Sequence, residues 1–258
     1  MATVRKKRPQ EQDEQIVEKG DIFFFYRPRV EHEEADGLED IQRFFMVLKP
    51  EGAPFRVAVL GRKRLPDPDR HERIWGFVDH LAKRGDEVEA DLKEQHYTTK
   101  TRGERTLPPA RPAGEGVYAL VQRGRNLYLT YELELPAKPG EVQQELNIEQ
   151  QGGYILAIRN PEKPAPPQAG LPERDEADYP TSLQREFRGR RFASEDPHLL
   201  DYEGAEFVLI GARTDPERAY DLDIEAEHET ADKADIFRKL KLSRREHPLE
   251  PLFGGEWR

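Results

Sequence analysis

Residues 20–30, Gly-Asp-Ile-Phe-Phe-Phe-Tyr-Arg-Pro-Arg-Val, constrain the fold more than any other stretch. Five successive side chains, Ile22, Phe23, Phe24, Phe25 and Tyr26, are large and apolar or aromatic. The chain around them is only 36% hydrophobic and 36% charged. A strand sends alternate side chains to opposite faces, so an unbroken run of this kind reads as a strand buried on both faces. Phe23, Phe24 and Phe25 are then core. At the strand's exit Tyr26, Arg27 and Arg29 form a recognition edge, with two guanidinium groups pointing past the end of the sheet.

The remaining apolar residues are clustered at 44–48, 55–60, 117–121, 127–135, 154–158 and 207–210, which indicates a folded chain with solvated loops. Residues 44–48 and 55–60 form a hairpin across Pro50, Gly52 and Pro54. Residues 74–84 fit a helix or a strand and are taken as a strand, with a short helix capped by Asp86 and Glu89 after it. Leu127, Leu129, Tyr131, Leu133 and Leu135 alternate strictly with polar residues. With 117–121, a weaker strand over 142–148 and 154–158, they predict a four-stranded antiparallel meander. Six prolines between 160 and 180 mark a surface loop. Residues 207–210 return to the sheet, and Thr230 caps a last helix over 231–242. The expected fold is mainly β (α+β), an antiparallel β-sandwich or partly open barrel with a few short helices and a C-terminal helix. Its parts are a disordered polar tail (1–18), one β-rich domain (19–213) and an acidic segment, helix and tail (214–258).

Several classes of chemistry are excluded or disfavoured. The 258-residue chain has no cysteine, which removes disulfides, thiolate metal sites and cysteine nucleophiles. A net charge of −10 opposes general attraction to nucleic acid or an anionic membrane. No apolar stretch reaches the roughly 20 residues of a membrane span. The basic N-terminus lacks the apolar segment of a secretory signal, so a cytoplasmic location is expected. No phosphate-binding glycine loop follows a strand, Gly114-Glu115-Gly116 reads as a bulge or tight turn, and the three serines lie in no nucleophile elbow.

Two constellations retain a chemical reading. Asp221, Asp223 and Glu225 would share a strand face with His228 beyond them, an oxygen-rich set suited to Mg²⁺ or Mn²⁺ in a metal-assisted hydrolase. The plainer reading is a solvated acidic face. Arginines recur beside aromatics: Arg27 and Arg29, Arg62 and Arg64, Arg102, and Arg188. Converging, they would bind phosphate-bearing ligands or single-stranded nucleic acid. Otherwise each pairs with one of the chain's 51 carboxylates.

Gly20 to Pro28 resembles the opening motif of an uncharacterised family of soluble bacterial and plant proteins. The resemblance continues through Gln42-Arg43-Phe44, Gly61 to Pro66, Trp75 to Val78, Thr101-Arg102-Gly103, Gly114 to Tyr118, Leu146 to Glu149, Asn160-Pro161 and Leu200 to Gly204. It implies one co-folding unit over about residues 19–213 and brings no activity, ligand or catalytic residue with it. With no catalytic motif and no cofactor implied, the expected function is a non-enzymatic binding or protein-interaction module. Its partner is a protein, or a second copy joined through the acidic 31–40 and basic 185–191 segments.

Overall fold

The computed structural model describes residues 14–101, 103–166, 170–213 and 234–258. Strand β1 (Glu14–Pro28) starts inside the stretch read as a polar tail and pairs along both edges. One neighbour is β2 (Ile41–Pro50) and the other is β7 (Arg111–Arg123), both antiparallel. From β2 the sheet continues through β3 (Phe55–Leu60), β4 (Arg73–Ala82), β11 (Glu206–Arg213) and β9 (Gln151–Arg159). From β7 it runs to β8 (Asn126–Leu135), and β8 pairs with β9. The expected antiparallel β fold is therefore an eight-stranded barrel that closes. The short strand β10 (Phe192–Ala193) pairs with Ile158 and Arg159, beyond the β8–β9 ladder. Strands β5 (Gln95–Thr99) and β6 (Gly103–Leu107) form a separate hairpin.

The aromatic run serves two cores. Ile22, Phe24 and Tyr26 point into the barrel with Phe44, Met46, Leu48, Tyr131, Tyr154 and Phe207. Phe24 stacks on Phe44 (ring centroids 6.1 Å apart) and meets Tyr131 edge-on at 5.2 Å. Phe23 and Phe25 point outwards, with Phe45, Val47, Phe55 and Val57, under an outer layer. That layer comprises helix α1 (Gly85–Leu92), helix α4 (Asp235–Arg238) and helix α5 (Glu250–Phe253). Each buried ring contributes about 1.5–3 kcal/mol, so one strand stabilises both layers. Gly20 permits the close approach of β2, because a Cβ there would lie 2.1 Å from the Lys49 carbonyl oxygen.

Polar clamps hold the barrel ends and the outer layer. At one end Arg56 is 1% exposed yet charged. Its guanidinium donates to both Glu18 carboxylate oxygens (2.7 and 2.8 Å) and to Asp201 Oδ1 (2.8 Å), and the Tyr118 hydroxyl donates to Glu18. At the other end the chain terminus crosses the opening. Tyr26 donates its hydroxyl proton to the Arg258 carbonyl (3.1 Å), accepts from the Arg258 N–H (3.2 Å), and packs edge-on against Trp257. The Glu115 carboxylate accepts the backbone N–H groups of Asp235 and Ile236, capping α4 from the barrel wall. Lys239, just past α4, pairs with Asp21 of β1 at 2.8 Å.

The structure corrects three local expectations. Residues 142–148 form no strand: helix α2 (Glu141–Glu145) occupies their start, and β8 pairs directly with β9. Val142 and Leu146 satisfy a helical spacing as well as an alternating one, and both are buried. Gln143 decides between the two readings. Its Oε1 accepts from the Gly140 N–H, while its Nε2 bridges the Ala113 and Pro251 carbonyls. Helix α1 is capped by Glu87, whose carboxylate accepts from the Lys83 and Arg84 N–H groups, instead of by Asp86 with Glu89. The helix expected over 231–242 to bury Ile236, Phe237 and Leu240 is the single turn α4, with Ile236 and Leu240 buried and Phe237 only partly so; Thr230 lies outside the described residues. The expected bulge at 114–116 is present as register shifts on both edges of β7. Helix α3 (Thr181–Gln184) sits beyond the proline-rich loop.

Two measurements test this architecture. Replacing Arg56 by Met strands Glu18 as a buried carboxylate and should cost about 3–5 kcal/mol in urea unfolding, with partial recovery in the Arg56→Met/Glu18→Gln double variant. Burial pushes the Tyr26 hydroxyl from 10.0 up to about 12, and Tyr118, Tyr131, Tyr154 and Tyr179 move in the same direction. A phenol whose folded pKa is raised stabilises the fold fully below its unfolded pKa, and that contribution is lost as pH rises through the folded value. Stability should therefore hold up to about pH 10 and fall between 10 and 12. Phenolate absorbance from the buried tyrosines should rise only with unfolding.

Candidate binding site at the exit of the first strand

The residue that ends the apolar run organises its surroundings. Arg27 is 2% exposed, and its guanidinium donates to the carbonyls of Asp91, Lys93 (3.0 Å) and Pro108 (2.9 Å). The last carbonyls of a helix lack intrahelical donors and attract a cation. Arg27 supplies both needs for α1 and also fixes the 108–109 segment. Burial, reinforced by Arg43, lowers its pKa to about 10, so it remains charged at neutral pH. A cleft opens on each side of this anchor.

The smaller cleft, about 370 Å³, is lined by Arg27, Gln42, Arg43, Asp79, His80 and Asp91 among others. A β-bulge assembles it. Val57 of β3 pairs with His80, whereas the next residue, Ala58, pairs with Val78. Asp79 is thus the extra residue, and both Asp79 and His80 line the cleft instead of lying on opposite faces. The His80 ring sits between Glu203 (Nδ1–Oε1 3.2 Å) and Asp91 (Nε2–Oδ2 3.6 Å), and Arg43 lies 3.6 Å from Asp79. Burial raises the Asp91 pKa, with His80 opposing and Asp79 adding to the shift. The arrangement can carry a proton or hold a cationic group, but its lining offers no Ser, Thr, Cys or Lys as nucleophile.

The larger cleft, about 910 Å³, lies at the barrel end crossed by the C-terminus. Pro108, Pro109, Pro248, Leu249 and Phe253 give it an apolar floor; Arg244, Arg245 and Arg258 face Glu94, Glu250 and Glu256 around it. Arg258 pairs with Glu34 (3.1 Å), Arg244 lies over the Phe237 ring (4.1 Å), and Arg245 has no ion-pair partner among the described residues. Among the described residues Phe253 is one of three large apolar side chains left exposed, at 37%. On one wall Glu246 and His247 are the residues able to hold a metal, with Glu89 of α1 behind them.

The arginines anticipated as ligand contacts do not gather around one cleft. Tyr26 is buried and positions Arg258, while Arg27 lines the smaller cleft. Arg29 has Glu39 at 3.9 Å. Arg62 and Arg64 share one oxygen of Glu72 (2.9 and 2.8 Å), and Arg62 borders a different cleft beside Trp75 and Glu206. Arg188 shares Glu195 with Arg190, both at 3.2 Å. Arg102, Asp221, Asp223, Glu225 and His228 lie outside the described residues. Sequence reading missed Asp79, His80, Asp91 and Glu203, which meet only through the bulge and the packing of α1. It also missed Arg245 and Phe253, for which an apolar residue in a charged tail was the available signal.

No helix among the described residues is long and apolar enough to cross a membrane. Comparison of the chain with protein-family models, curated proteins and solved structures returned no match.

Proposed function

We propose that the protein is a non-enzymatic binding module, and that it takes an extended segment of a partner protein in the larger cleft. The observation that carries this reading is the cleft's lining. A proline, leucine and phenylalanine floor is rimmed by charges of both signs, and Arg245 has no counter-ion among the described residues. Apolar contact within a polar rim is the usual anatomy of a protein interface. Inside the barrel, the void among Met46, Leu48, Ala58, Leu129 and Phe207 is only about 10 Å³, too small for a ligand.

The charge pattern favours a protein over nucleic acid. The net charge is −10, and Arg62, Arg64, Arg188 and Arg190 are already neutralised by Glu72 and Glu195. It also favours a different protein over a second copy. In the two segments considered for self-association, Glu31 pairs with Arg105, Glu34 with Arg258, and Arg188 and Arg190 with Glu195. Outward-facing Arg43, Asp79 and Glu132 on the barrel wall suit water better than lipid, in keeping with a cytoplasmic protein.

A random 12-residue peptide library selected on the immobilised full chain tests the proposal. Enriched peptides should pair acidic with apolar residues, and their affinity should fall about ten-fold or more, a loss of roughly 1.4 kcal/mol, in Arg245→Glu and in Phe253→Ala. Failure to enrich any peptide, or affinity unchanged in both variants, would remove the proposal.

A further inference from the structure

We propose that Glu89, Glu246 and His247 form a binding site for a divalent transition-metal ion of the zinc class. The site stands independently of the peptide reading. One ligand atom from each residue lies within 4.8 Å of the other two. Glu89 is 7% exposed on the inner face of α1, His247 is 2% exposed, and Glu246 reaches in from the cleft surface.

The decisive residue is His247. Its Nδ1 lies 2.6 Å from the Ala110 carbonyl, which can only accept, so Nδ1 carries the proton and donates. Nε2 therefore keeps its lone pair, and it is buried without a partner among the described residues. Leaving a buried acceptor unpaired costs about 1–3 kcal/mol. A ring fixed through Nδ1–H on a backbone carbonyl, with Nε2 open, is the arrangement that prepares a histidine for a metal. Burial also keeps the ring below the ordinary histidine pKa, in the neutral form that a metal requires.

The two carboxylates already hold a cation. Lys93 Nζ lies 3.1 Å from Glu89 Oε2 and 3.4 Å from Glu246 Oε2. One ammonium leaves the pair with a residual negative charge, whereas a dication balances it. The Lys93 side chain is 41% exposed and free to swing into water. Zinc ligands at about 2.0–2.2 Å stand roughly 3.5 Å apart, so the cluster must tighten by about an ångström as Lys93 leaves. The flexible Glu246 side chain can supply that movement. One imidazole with two carboxylates suits Zn²⁺, Mn²⁺ or Co²⁺, whereas Mg²⁺ and Ca²⁺ favour all-oxygen ligation.

Zinc chloride titrated into the full chain, followed by calorimetry and thermal unfolding with MgCl₂ as control, tests the site. Zn²⁺ should bind at one site per chain and raise Tm, and Mg²⁺ should do neither at equal concentration. Glu246→Ala alters an exposed side chain and should keep the metal-free Tm, while weakening Zn²⁺ binding by about 10- to 100-fold. Lys93→Met removes the competing ammonium and should bind Zn²⁺ up to about five-fold more tightly. Binding seen only in Lys93→Met would still support the site, with Lys93 as its resident cation. Absence of binding in both the parent and Lys93→Met would overturn the proposal, as would binding that Glu246→Ala leaves unchanged.

Discussion

Six consecutive side chains of β1 leave the strand alternately into the barrel and into the layer outside it, and the rest of the molecule is built around that alternation. Ile22, Phe24 and Tyr26 fill the interior, while Phe23, Phe25 and Arg27 belong to the outer layer. Because β1 is paired with β2 on one edge and β7 on the other, neither face can shift without the other. A slip of one residue would exchange Tyr26 with Arg27 and place a guanidinium in the barrel core. The outer layer is thus held in register with the barrel by the same residues that fill the barrel.

The barrel is filled by its own side chains. Its ends are closed, one by Arg56 with Glu18 and Asp201, the other by Trp257 and Arg258 over Tyr26. On the proposed reading, recognition falls to the segments that cover the wall. Arg27 positions them by collecting carbonyls from the end of α1 and from Pro108, and the two clefts lie on either side of that junction. Most surface arginines are engaged with carboxylates of the chain itself, and many such exposed pairs contribute little energy. They neutralise the surface more than they stabilise it.

How much of this the sequence disclosed depends on the range of the interactions. The two-faced strand, the β2–β3 hairpin, the alternating β8 and the return of β11 follow from side-chain periodicity, which is local. The segment at 142–148 misleads because Val142 and Leu146 satisfy two periods at once, and the tie is broken by Gln143 bonding to Ala113 and Pro251. The edge at Tyr26 and Arg27 was located from the end of the apolar run. Its partners were not, because Asp91 and Pro108 come to it through the packing of α1 and the turn after β6. Asp79 and His80 are neighbours in sequence that ordinary strand geometry would separate; only the bulge against Val57 sets them together. The orphan nitrogen of His247 has no sequence signal at all, since it depends on a carbonyl 137 residues away.

The central claim is that the barrel and its outer layer form one cooperative unit joined through β1. Native-state hydrogen exchange measured against urea concentration tests it most directly. The account predicts that the amides of residues 22–26 exchange only through global unfolding, with the free energy and urea dependence of the whole-molecule transition. It predicts the same for Val88 and Leu92 of α1. Exchange of α1 or of residues 22–26 through a lower-energy opening, in which the outer layer lifts away from an intact barrel, would contradict it.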